Sequence, residues 1–313
     1  MDLRLDRLAT LYLVSPLLRF WGRKPCVPIL MYHSITDEDE SNTHPYYRTA
    51  TSPTMFAGQM QDLHESGYKT CSLAQAIREL QAEAQTPAKL VVITFDDGYG
   101  DFYRHAFPVL NRYGFSATVF LPTAYIGESP IPFKGKDCLT WADVRELSQH
   151  GILFGSHTVT HPQLRELRVP AIREEIVNSK RAIEEKLGRV VESFAYPFAF
   201  PQTDTGFKKT LHDSLSHAGY QNGVCTVVGR SNRTSDPLFM ERLPVNSCDD
   251  PALFQAKLDG AYDWISRSQY AVKVAKTRLR ASPGNAKSHI SDDLPGGRKG
   301  SGNGACTSET CSR

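Results

Sequence analysis

The stretch Leu90-Val-Val-Ile-Thr-Phe-Asp-Asp-Gly98 joins an almost uninterrupted apolar run to two carboxylates and a glycine. An apolar run of this length indicates a strand that is covered on both faces, which is typical of parallel sheets. Two acidic side chains directly after such a strand would be costly to bury without partners. The stretch therefore predicts a buried parallel strand that ends at a polar site.

Apolar segments of strand length recur on both sides of this stretch and alternate with helical patterns. Capping residues and glycines mark the helices, such as Ser52-Pro53 at the start of one helix and Gly67 at its end. This alternation predicts a mainly parallel sheet, either open or closed into a barrel, with its chemistry at the C-terminal strand ends. Strands are predicted at residues 27–32, 90–95, 117–121, 152–155, 193–196, 223–228 and 240–245.

The composition is that of an ordinary soluble protein without a nucleic-acid partner. The 313 residues carry a formal net charge of +2, which is too small for a nucleic-acid binder. The cysteines number seven, and none of them form a Cys-x-x-Cys pair. The odd count excludes a fully paired disulfide framework and the spacing excludes a zinc knuckle, so reduced thiols in a cytoplasmic location are expected.

Both ends of the chain differ from its middle. Residues 1–24 mix leucines with basic residues, and their apolar run is shorter than the about 20 residues that span a bilayer. Asp2 and Asp6 argue against a secretory signal. An amphipathic helix is predicted there, either lying on a membrane surface such as the inner membrane or packed on the main domain. Residues 25–265 form the predicted main domain, and residues 266–313 a basic segment with a disordered tail.

Three polar clusters follow predicted strands and should meet at one rim of the sheet. They are residues 94–98 (TFDDG), 157–161 (HTVTH) and 194–198 (FAYPF). Two histidines four residues apart lie on one side of a helical turn, as a divalent metal requires, although this spacing alone is often structural. Adding a carboxylate gives two histidines and one acid with an open position for water, which is the composition of a catalytic metal site.

The adjacent Asp96 and Asp97 can serve two different purposes. Successive side chains at a strand end point in different directions, so one carboxylate can bind metal while the other faces the substrate as a base. A glycosidase is disfavoured, because its two carboxylates face each other across a sugar at about 5–9.5 Å. The alternative interpretation is a turn or helix cap before Gly98.

These motifs, in this order, resemble those of the polysaccharide deacetylase family, the NodB-homology domain of carbohydrate esterase family 4. TFDDG matches the first motif of the family and HTVTH matches its second, His-Ser/Thr-x-x-His. The resemblance extends over most of the chain. It implies an α/β fold, a distorted (β/α) barrel with about seven parallel strands. It also implies a divalent metal, usually Zn²⁺, with Co²⁺, Ni²⁺ or Mn²⁺ as alternatives.

The resemblance also assigns roles to residues. By position, Asp97, His157 and His161 resemble the metal ligands of the family, and Asp96 resembles its catalytic base. The implied reaction is hydrolysis of an acetamide, in which the metal activates a water and Asp96 takes the proton of that water. The metal and a backbone N–H, which Phe198 could supply, stabilise the oxyanion.

Two family features are missing from their usual places. The third motif usually reads Arg-x-Pro-Tyr, whereas residues 195–198 read AYPF, so the arginine that orients the base is absent. Arg242 could replace it from a later strand, the alternative being a surface arginine, and Pro197 can still fix the loop. The late Leu-x-His motif is also absent. His33, after the first strand, is the candidate general acid, the alternative being a histidine bonded within the rim.

The expected function is metal-dependent removal of N-acetyl groups from a polysaccharide or lipid-linked glycan that contains N-acetylhexosamine, in exopolysaccharide or envelope biosynthesis. Tyr99 and Trp141 are candidates to line the sugar groove, the alternative being packing. Two other functions stay open: a small cyclic amide or O-acetyl ester as substrate of the same metal site, and a catalytically weak carbohydrate-binding protein. The expected partners are the glycan and a membrane surface contacted through the basic ends.

Overall fold

The computed structural model describes residues 4–18, 25–82, 89–266 and residue 270. These residues all belong to the first of two compact units, residues 1–274, and the second unit, residues 275–313, lies outside the described residues. The predicted basic segment and disordered tail, residues 266–313, therefore lie outside the described residues, apart from residues 266 and 270. The same holds for residues 19–24 of the predicted N-terminal segment.

The described residues form short strands that alternate with helices. The strands are β1 (Cys26–Val27), β2 (Ile29–Tyr32), β3 (Ser34–Ile35), β4 (Ala50–Thr51), β5 (Lys69–Thr70), β6 (Leu90–Phe95), β7 (Thr118–Leu121), β8 (Pro132–Phe133), β9 (Lys136–Asp137), β10 (Leu153–Ser156), β11 (Ser193–Ala195), β12 (Asn222–Val228), β13 (Ser231–Asn232) and β14 (Met240–Pro244).

The α-helices are α1 (Leu5–Leu8), α2 (Ser15–Leu18), α3 (Pro53–Glu65), α4 (Leu73–Gln81), α5 (Phe107–Arg112), α6 (Trp141–Gln149), α7 (Val169–Leu187), α8 (Thr205–His217) and α9 (Pro251–Leu258). Wider π-helical turns, Ala9–Val14 and Phe102–Ala106, join α1 to α2 and precede α5. Three short 3₁₀ turns lie in the loops after β3, β7 and β10.

Seven parallel strands close into a barrel. Their order is β2-β14-β12-β11-β10-β7-β6, and β6 pairs with β2 to complete the ring. β5 extends the sheet by pairing with the first two residues of β6. All six residues of β6 are buried, because the strand is covered on both faces. The expected distorted (β/α) barrel of about seven parallel strands is confirmed.

Alternate strand residues divide between the barrel interior and the surrounding helices. Val92 of β6 packs in one apolar cluster with Leu80 of α4, whereas Ile93 packs in a second cluster with Phe56 of α3. Ala74 of α4 lines a cavity together with the first residues of β10, β11 and β12, so α4 lies at the end of the barrel where the strands begin. The opposite, C-terminal end receives the polar residues that follow the strands, beginning with Asp96.

Two helices have no counterpart in the sequence-based prediction, α8 and α9. Asp250 caps α9 by accepting hydrogen bonds from the backbone N–H groups of Ala252 and Leu253. Most of α9 is buried, including Phe254 and the cationic Lys257. A helix buried on most sides shows no apolar stripe of period 3.6, which explains why the pattern missed it.

Residues 5–18 form a helical segment that packs on the main domain. Arg4 Nη1 lies 3.2 Å from Asp249 Oδ1, and Trp264 Nε1 donates a hydrogen bond to Thr10 Oγ1 at 3.0 Å. Of the two predicted alternatives, packing on the main domain therefore describes the inner side of this helical segment. No described helix is both long enough and apolar enough to cross a membrane.

Candidate metal centre and active site

β6 ends in a sharp turn that separates the two adjacent carboxylates. Asp97 and Gly98 both have left-handed backbone conformations, with φ of 68° and 60°. Glycine adopts this conformation freely, and a Cβ at Gly98 would also lie only 2.9 Å from Leu121 Cδ2. Because of this turn, the side chains of Asp96 and Asp97 meet different partners.

Asp97, His157 and His161 come together from the ends of β6 and β10. One ligand atom from each lies within 4.8 Å of the others, and all three residues are buried. Asp97 Oδ1 lies 3.6 Å from His157 Nε2 and 3.3 Å from His161 Nε2. This oxygen accepts no hydrogen bond from the described residues, which is unusual for a buried carboxylate. Two imidazoles and one such oxygen fit a divalent cation with an open coordination position.

The two histidines do not lie on a helical turn, so that part of the spacing argument is wrong. They flank an irregular loop after β10, in which Thr158 and His161 have φ of 69° and 55°. Thr158 Oγ1 accepts a hydrogen bond from the His161 N–H at 3.0 Å. The loop at the strand end, not helical periodicity, directs both imidazoles towards Asp97.

Glu175 of α7 anchors this loop, and the sequence-based prediction missed it. Its Oε2 accepts hydrogen bonds from the backbone N–H groups of Val159 and Thr160 at 2.8 and 2.9 Å. Its Oε1 accepts a third hydrogen bond from Thr160 Oγ1 at 2.7 Å. The partners are 15 or 16 residues apart in the chain, so no local pattern could have identified Glu175.

Each of the two imidazoles can offer a ring nitrogen to a cation. His157 donates its Nδ1–H to the Ala195 carbonyl at 2.8 Å, because a carbonyl oxygen can only accept, and its Nε2 lone pair is then free. Burial and the neighbouring His157 lower the pKa of His161 to about 3. His161 is therefore neutral at neutral pH and can bind a cation without first losing a proton.

The second oxygen of Asp97 is held by the protein. Tyr99 donates its hydroxyl to Oδ2 at 3.0 Å, and Lys134 Nζ lies 3.2 Å from the same atom. Burial acts to raise the pKa of Asp97, but His33, His157 and Lys134 outweigh it, and the pKa lies below its ordinary value. Partners of this kind orient a metal-binding carboxylate. Tyr99 thus contacts Asp97 and is itself buried.

Arg242 of β14 forms an ion pair with Asp96, which follows β6. Its two terminal nitrogens lie 2.7 Å from the two carboxylate oxygens, and its Nε donates to the Cys225 carbonyl at 3.0 Å. Arg242 is 0% exposed and Asp96 is 2% exposed, so Arg242 is not a surface arginine. Burial acts to raise the pKa of Asp96, but the Arg242 guanidinium outweighs it and holds the pKa well below its usual range. Asp96 is therefore ionised at neutral pH.

His33 follows β2 and lies beside the same carboxylate. Its Nε2 is 4.0 Å from Asp96 Oδ2, and its side chain is partly exposed at the rim. Burial lowers the pKa of His33 more than the nearby Asp96 and Asp97 raise it. A neutral imidazole in this position can accept a proton close to Asp96 and give it up again.

The remaining predicted residues divide between the rim and the core. Phe198 is 45% exposed, and the centre of its ring lies 4.6 Å from that of His161, while Pro197 before it is buried. Trp141 is buried at the start of α6, where Lys186 of α7 lies 5.7 Å from its ring. The role of Trp141 in lining the sugar groove stays a prediction.

Backbone strain is concentrated around this site. Left-handed conformations cost most side chains of order 1–3 kcal/mol and persist where the surroundings enforce them, often at functional sites. In the described part of the chain, the non-glycine residues with positive φ all lie in loops at the group formed by Asp97, His157 and His161. They are Asp97, Lys134, Thr158, His161 and Phe198.

A cavity of about 190 Å³ lies at the opposite end of the barrel. Leu153, Ser193 and Asn222, which begin β10, β11 and β12, are among its lining residues. The chemistry of parallel α/β barrels is found at the C-terminal strand ends. This cavity is therefore not part of the candidate active site.

Comparisons of the sequence point to one family. A family model described as polysaccharide deacetylase matches residues 83–223. YxkH of Bacillus subtilis (strain 168), named as a polysaccharide deacetylase, is 30% identical over 233 residues, which are 74% of this chain and 76% of that protein. The poly-β-1,6-N-acetyl-D-glucosamine N-deacetylase of Escherichia coli (strain K12) is 32% identical over 139 residues. That match covers 41% of this chain and only 20% of that protein.

Solved structures agree with the sequence comparison. The deacetylase PplD of Streptococcus pyogenes, solved in complex with acetate, superposes with a TM-score of 0.65 at 26% identity. The match covers 75% of this chain and 99% of that one. The similarity in structure therefore extends over three quarters of this chain and almost all of that one.

Proposed function

Because this chain belongs to the polysaccharide deacetylase family, we propose that it removes N-acetyl groups from N-acetylhexosamine residues of a glycan. One observation carries the proposal: a buried Asp97 oxygen that accepts no hydrogen bond from the described part of the chain faces two imidazoles, beside a second, ionised carboxylate. Hydrolysis of an amide needs this combination of a cation site and a base. Relatives named for poly-β-1,6-N-acetylglucosamine make that polymer the first substrate to test.

The proposed cation is divalent, with zinc as the first choice, and Asp97, His157 and His161 would hold it. When bound, it supplies Lewis-acid activation of water and polarises the acetyl carbonyl. Tyr99 and Lys134 keep Asp97 Oδ2 engaged, so Oδ1 stays directed at the imidazoles. The backbone N–H of Phe198, at the rim beside His161, would donate to the oxyanion.

In the proposed reaction, Asp96 takes the proton from the water that attacks the acetyl carbonyl. Arg242 keeps Asp96 ionised and fixes its orientation, but the low pKa of Asp96 makes the protonated form a poor place to leave the proton. His33, neutral and 4.0 Å away, is the nearby group that can accept the proton and deliver it to the departing amine. The products are acetate and a free amino sugar.

The first test is acetate release from oligomers of β-1,6-linked N-acetylglucosamine by the full chain. Release is expected with added zinc or cobalt and should fall to background with a chelator, because the ligand set binds a divalent cation. Readdition of metal should restore it. Metal bound in a one-to-one ratio without any acetate release would contradict the proposed activity and favour a small amide or ester as substrate.

A binding protein without turnover is the less favoured alternative. The missing arginine of the third motif and the missing late histidine are the sequence features that favour this alternative. In the folded chain, Arg242 and His33 both lie beside Asp96, at 2.7 Å and 4.0 Å. A sugar-binding site has no need of a base with these two neighbours.

We also propose that the outer side of the N-terminal helical segment rests on an anionic membrane surface. Leu5, Tyr12, Leu13 and Leu17 are exposed there, although Arg4 ties the inner side to the domain. Basic residues at positions 19, 23 and 24 follow in the sequence. An exposed apolar face followed by basic residues is typical of interfacial helices.

Co-sedimentation with vesicles tests this contact. The wild-type chain should sediment with vesicles that contain anionic lipid, and a Leu13→Glu/Leu17→Glu variant should lose most of that binding. Val190→Glu, at an equally exposed apolar residue beyond α7, is the matched control and should bind as wild type does. Equal sedimentation of all three proteins would argue against the helix as the membrane contact.

A further inference from the structure

The loop that carries the two candidate metal-binding histidines, residues 157–161, is held in an unfavourable backbone conformation. It has no regular secondary structure, and Thr158 and His161 have left-handed conformations that most side chains avoid. Such conformations persist only where the surroundings enforce them. The contacts that enforce this loop therefore decide whether both imidazoles face Asp97.

The backbone N–H groups of this loop donate mainly to side chains. The His157 N–H donates to the Leu121 carbonyl of β7, as a strand residue would, but the next four N–H groups donate to side-chain oxygens. Two of those four, from Val159 and Thr160, donate to Glu175 Oε2 at 2.8 and 2.9 Å. Because backbone N–H groups need partners, Glu175 replaces the strand pairing that ends at His157.

A second contact with α7 lies one turn further along the helix. Ser179 donates its hydroxyl to the Glu175 carbonyl at 2.7 Å, so Ser156 is the donor in the 2.6 Å contact between the two serine hydroxyls. Ser156 Oγ in turn accepts the Thr158 N–H at 3.2 Å. Both serines are 0% exposed. α7 therefore holds the loop at two points, a buried one at Ser179 and an outer one at Glu175.

The outer contact can be removed without leaving buried groups unpaired. Thr160 is exposed and Val159 is partly exposed, so water can satisfy their N–H groups when the Glu175 carboxylate is absent. The barrel should then still fold, but the loop loses a contact that keeps its left-handed residues in place and is free to relax. Binding of a cation must in that case also order the loop, which lowers the observed affinity.

We propose that Glu175 is a positioning residue that sets the metal affinity of the site, because it holds the 157–161 loop in its binding conformation before a cation arrives. This inference rests on the proposed function, since it assumes that Asp97, His157 and His161 bind a cation. The partners that usually orient a metal-binding histidine contact its second ring nitrogen. Glu175 acts instead on the backbone between the two histidines.

Zinc affinity of the full chain, measured at neutral pH by competition with a chromophoric chelator, tests this role. Glu175→Ala should bind zinc about 10–100-fold more weakly than the wild-type chain, the usual loss when a residue that orients metal ligands is replaced. Glu175→Gln keeps one acceptor oxygen and should lose less. Glu174→Ala, at the exposed neighbouring residue of α7, removes the same charge and should leave the affinity unchanged.

Two further readouts separate positioning from a general structural role. In the metal-free protein, hydrogen exchange within residues 157–161 should be faster in Glu175→Ala than in the wild-type chain, because two amides have lost their acceptor. Zinc should slow that exchange more in this variant than in the wild-type chain. At saturating zinc, kcat for acetate release from the β-1,6-linked tetramer of N-acetylglucosamine should stay close to the wild-type value.

The outcomes separate this inference from the proposed function. Unchanged zinc affinity in Glu175→Ala would overturn the role of Glu175, and so would an equal loss in Glu174→Ala, which would show an effect of charge alone. If the alanine variant does not fold, the affinity and exchange of Glu175→Gln decide in the same way. A wild-type chain that binds zinc but releases no acetate would overturn the proposed function alone, and one that binds no zinc would overturn both.

Discussion

Replacing Asp96 by asparagine is expected to lower kcat by about 10²–10⁴-fold, the range usually lost with a general base. Asparagine has nearly the same shape, but its amide cannot take a proton from the attacking water. His33 remains nearby but has lost the carboxylate 4.0 Å away that would pass the proton to it. Acetate release from the β-1,6-linked tetramer, measured at saturating substrate, checks the expected loss.

Metal content separates the loss of the base from the loss of the site. Asp96 is not part of the group formed by Asp97, His157 and His161, so the variant should still bind one metal ion. Asp213→Asn makes the same chemical change on the exposed side of α8 and should keep full activity. A metal-loaded Asp96→Asn protein within about tenfold of the wild-type kcat would overturn the role of Asp96 and transfer it to His33.

The sequence identified the parts of the site that follow strands. Asp96 and Asp97 after β6, His157 after β10 and His33 after β2 all lie at the C-terminal end of the barrel. The carboxyl ends of parallel strands meet at one rim, so motifs far apart in the chain can be placed together without knowledge of any contact. Arg242 could be suggested in the same way, because it lies on a predicted strand.

The features that the sequence did not predict depend on contacts between distant residues. Glu175 of α7 accepts a hydrogen bond from the Val159 N–H, 16 residues earlier in the chain. Lys134 of the β8–β9 hairpin contacts Asp97, which lies 37 residues before it. The left-handed φ of Thr158 runs against the preference of a β-branched residue, so local propensity predicts the opposite. Strained and long-range features of this kind concentrate at functional sites, where sequence rules are expected to fail.

Replacing Arg242 by methionine is expected to destabilise the protein by about 3–5 kcal/mol, the cost of leaving one partner of a buried ion pair alone. Arg242 and Asp96 are both almost fully buried and joined by two hydrogen bonds of 2.7 Å. Without the guanidinium, burial dominates and raises the pKa of Asp96 above its ordinary value of about 3.9. Chemical denaturation of both proteins, with metal loading held equal, measures the loss of unfolding free energy.

The pH dependence of that loss identifies its cause. In the wild-type chain the pKa of Asp96 is depressed, so its contribution to stability is present above the ordinary pKa and is lost as the pH falls. In Arg242→Met the pKa is raised, so the contribution of Asp96 is present at low pH and is lost as the pH rises. The difference between the two proteins should therefore be larger at pH 7 than at pH 4, provided that both remain folded at the lower pH.

A double variant, Asp96→Asn/Arg242→Met, removes both charges and is the decisive comparison. It should recover most of the stability lost in Arg242→Met, because replacing a buried ion pair as a whole is often neutral. Asp96 should no longer contribute to the pH dependence of its stability between about pH 4 and pH 7. Its activity should stay as low as that of Asp96→Asn. A double variant as unstable as Arg242→Met would show that lost packing of the arginine side chain, not the unpaired carboxylate, causes the effect.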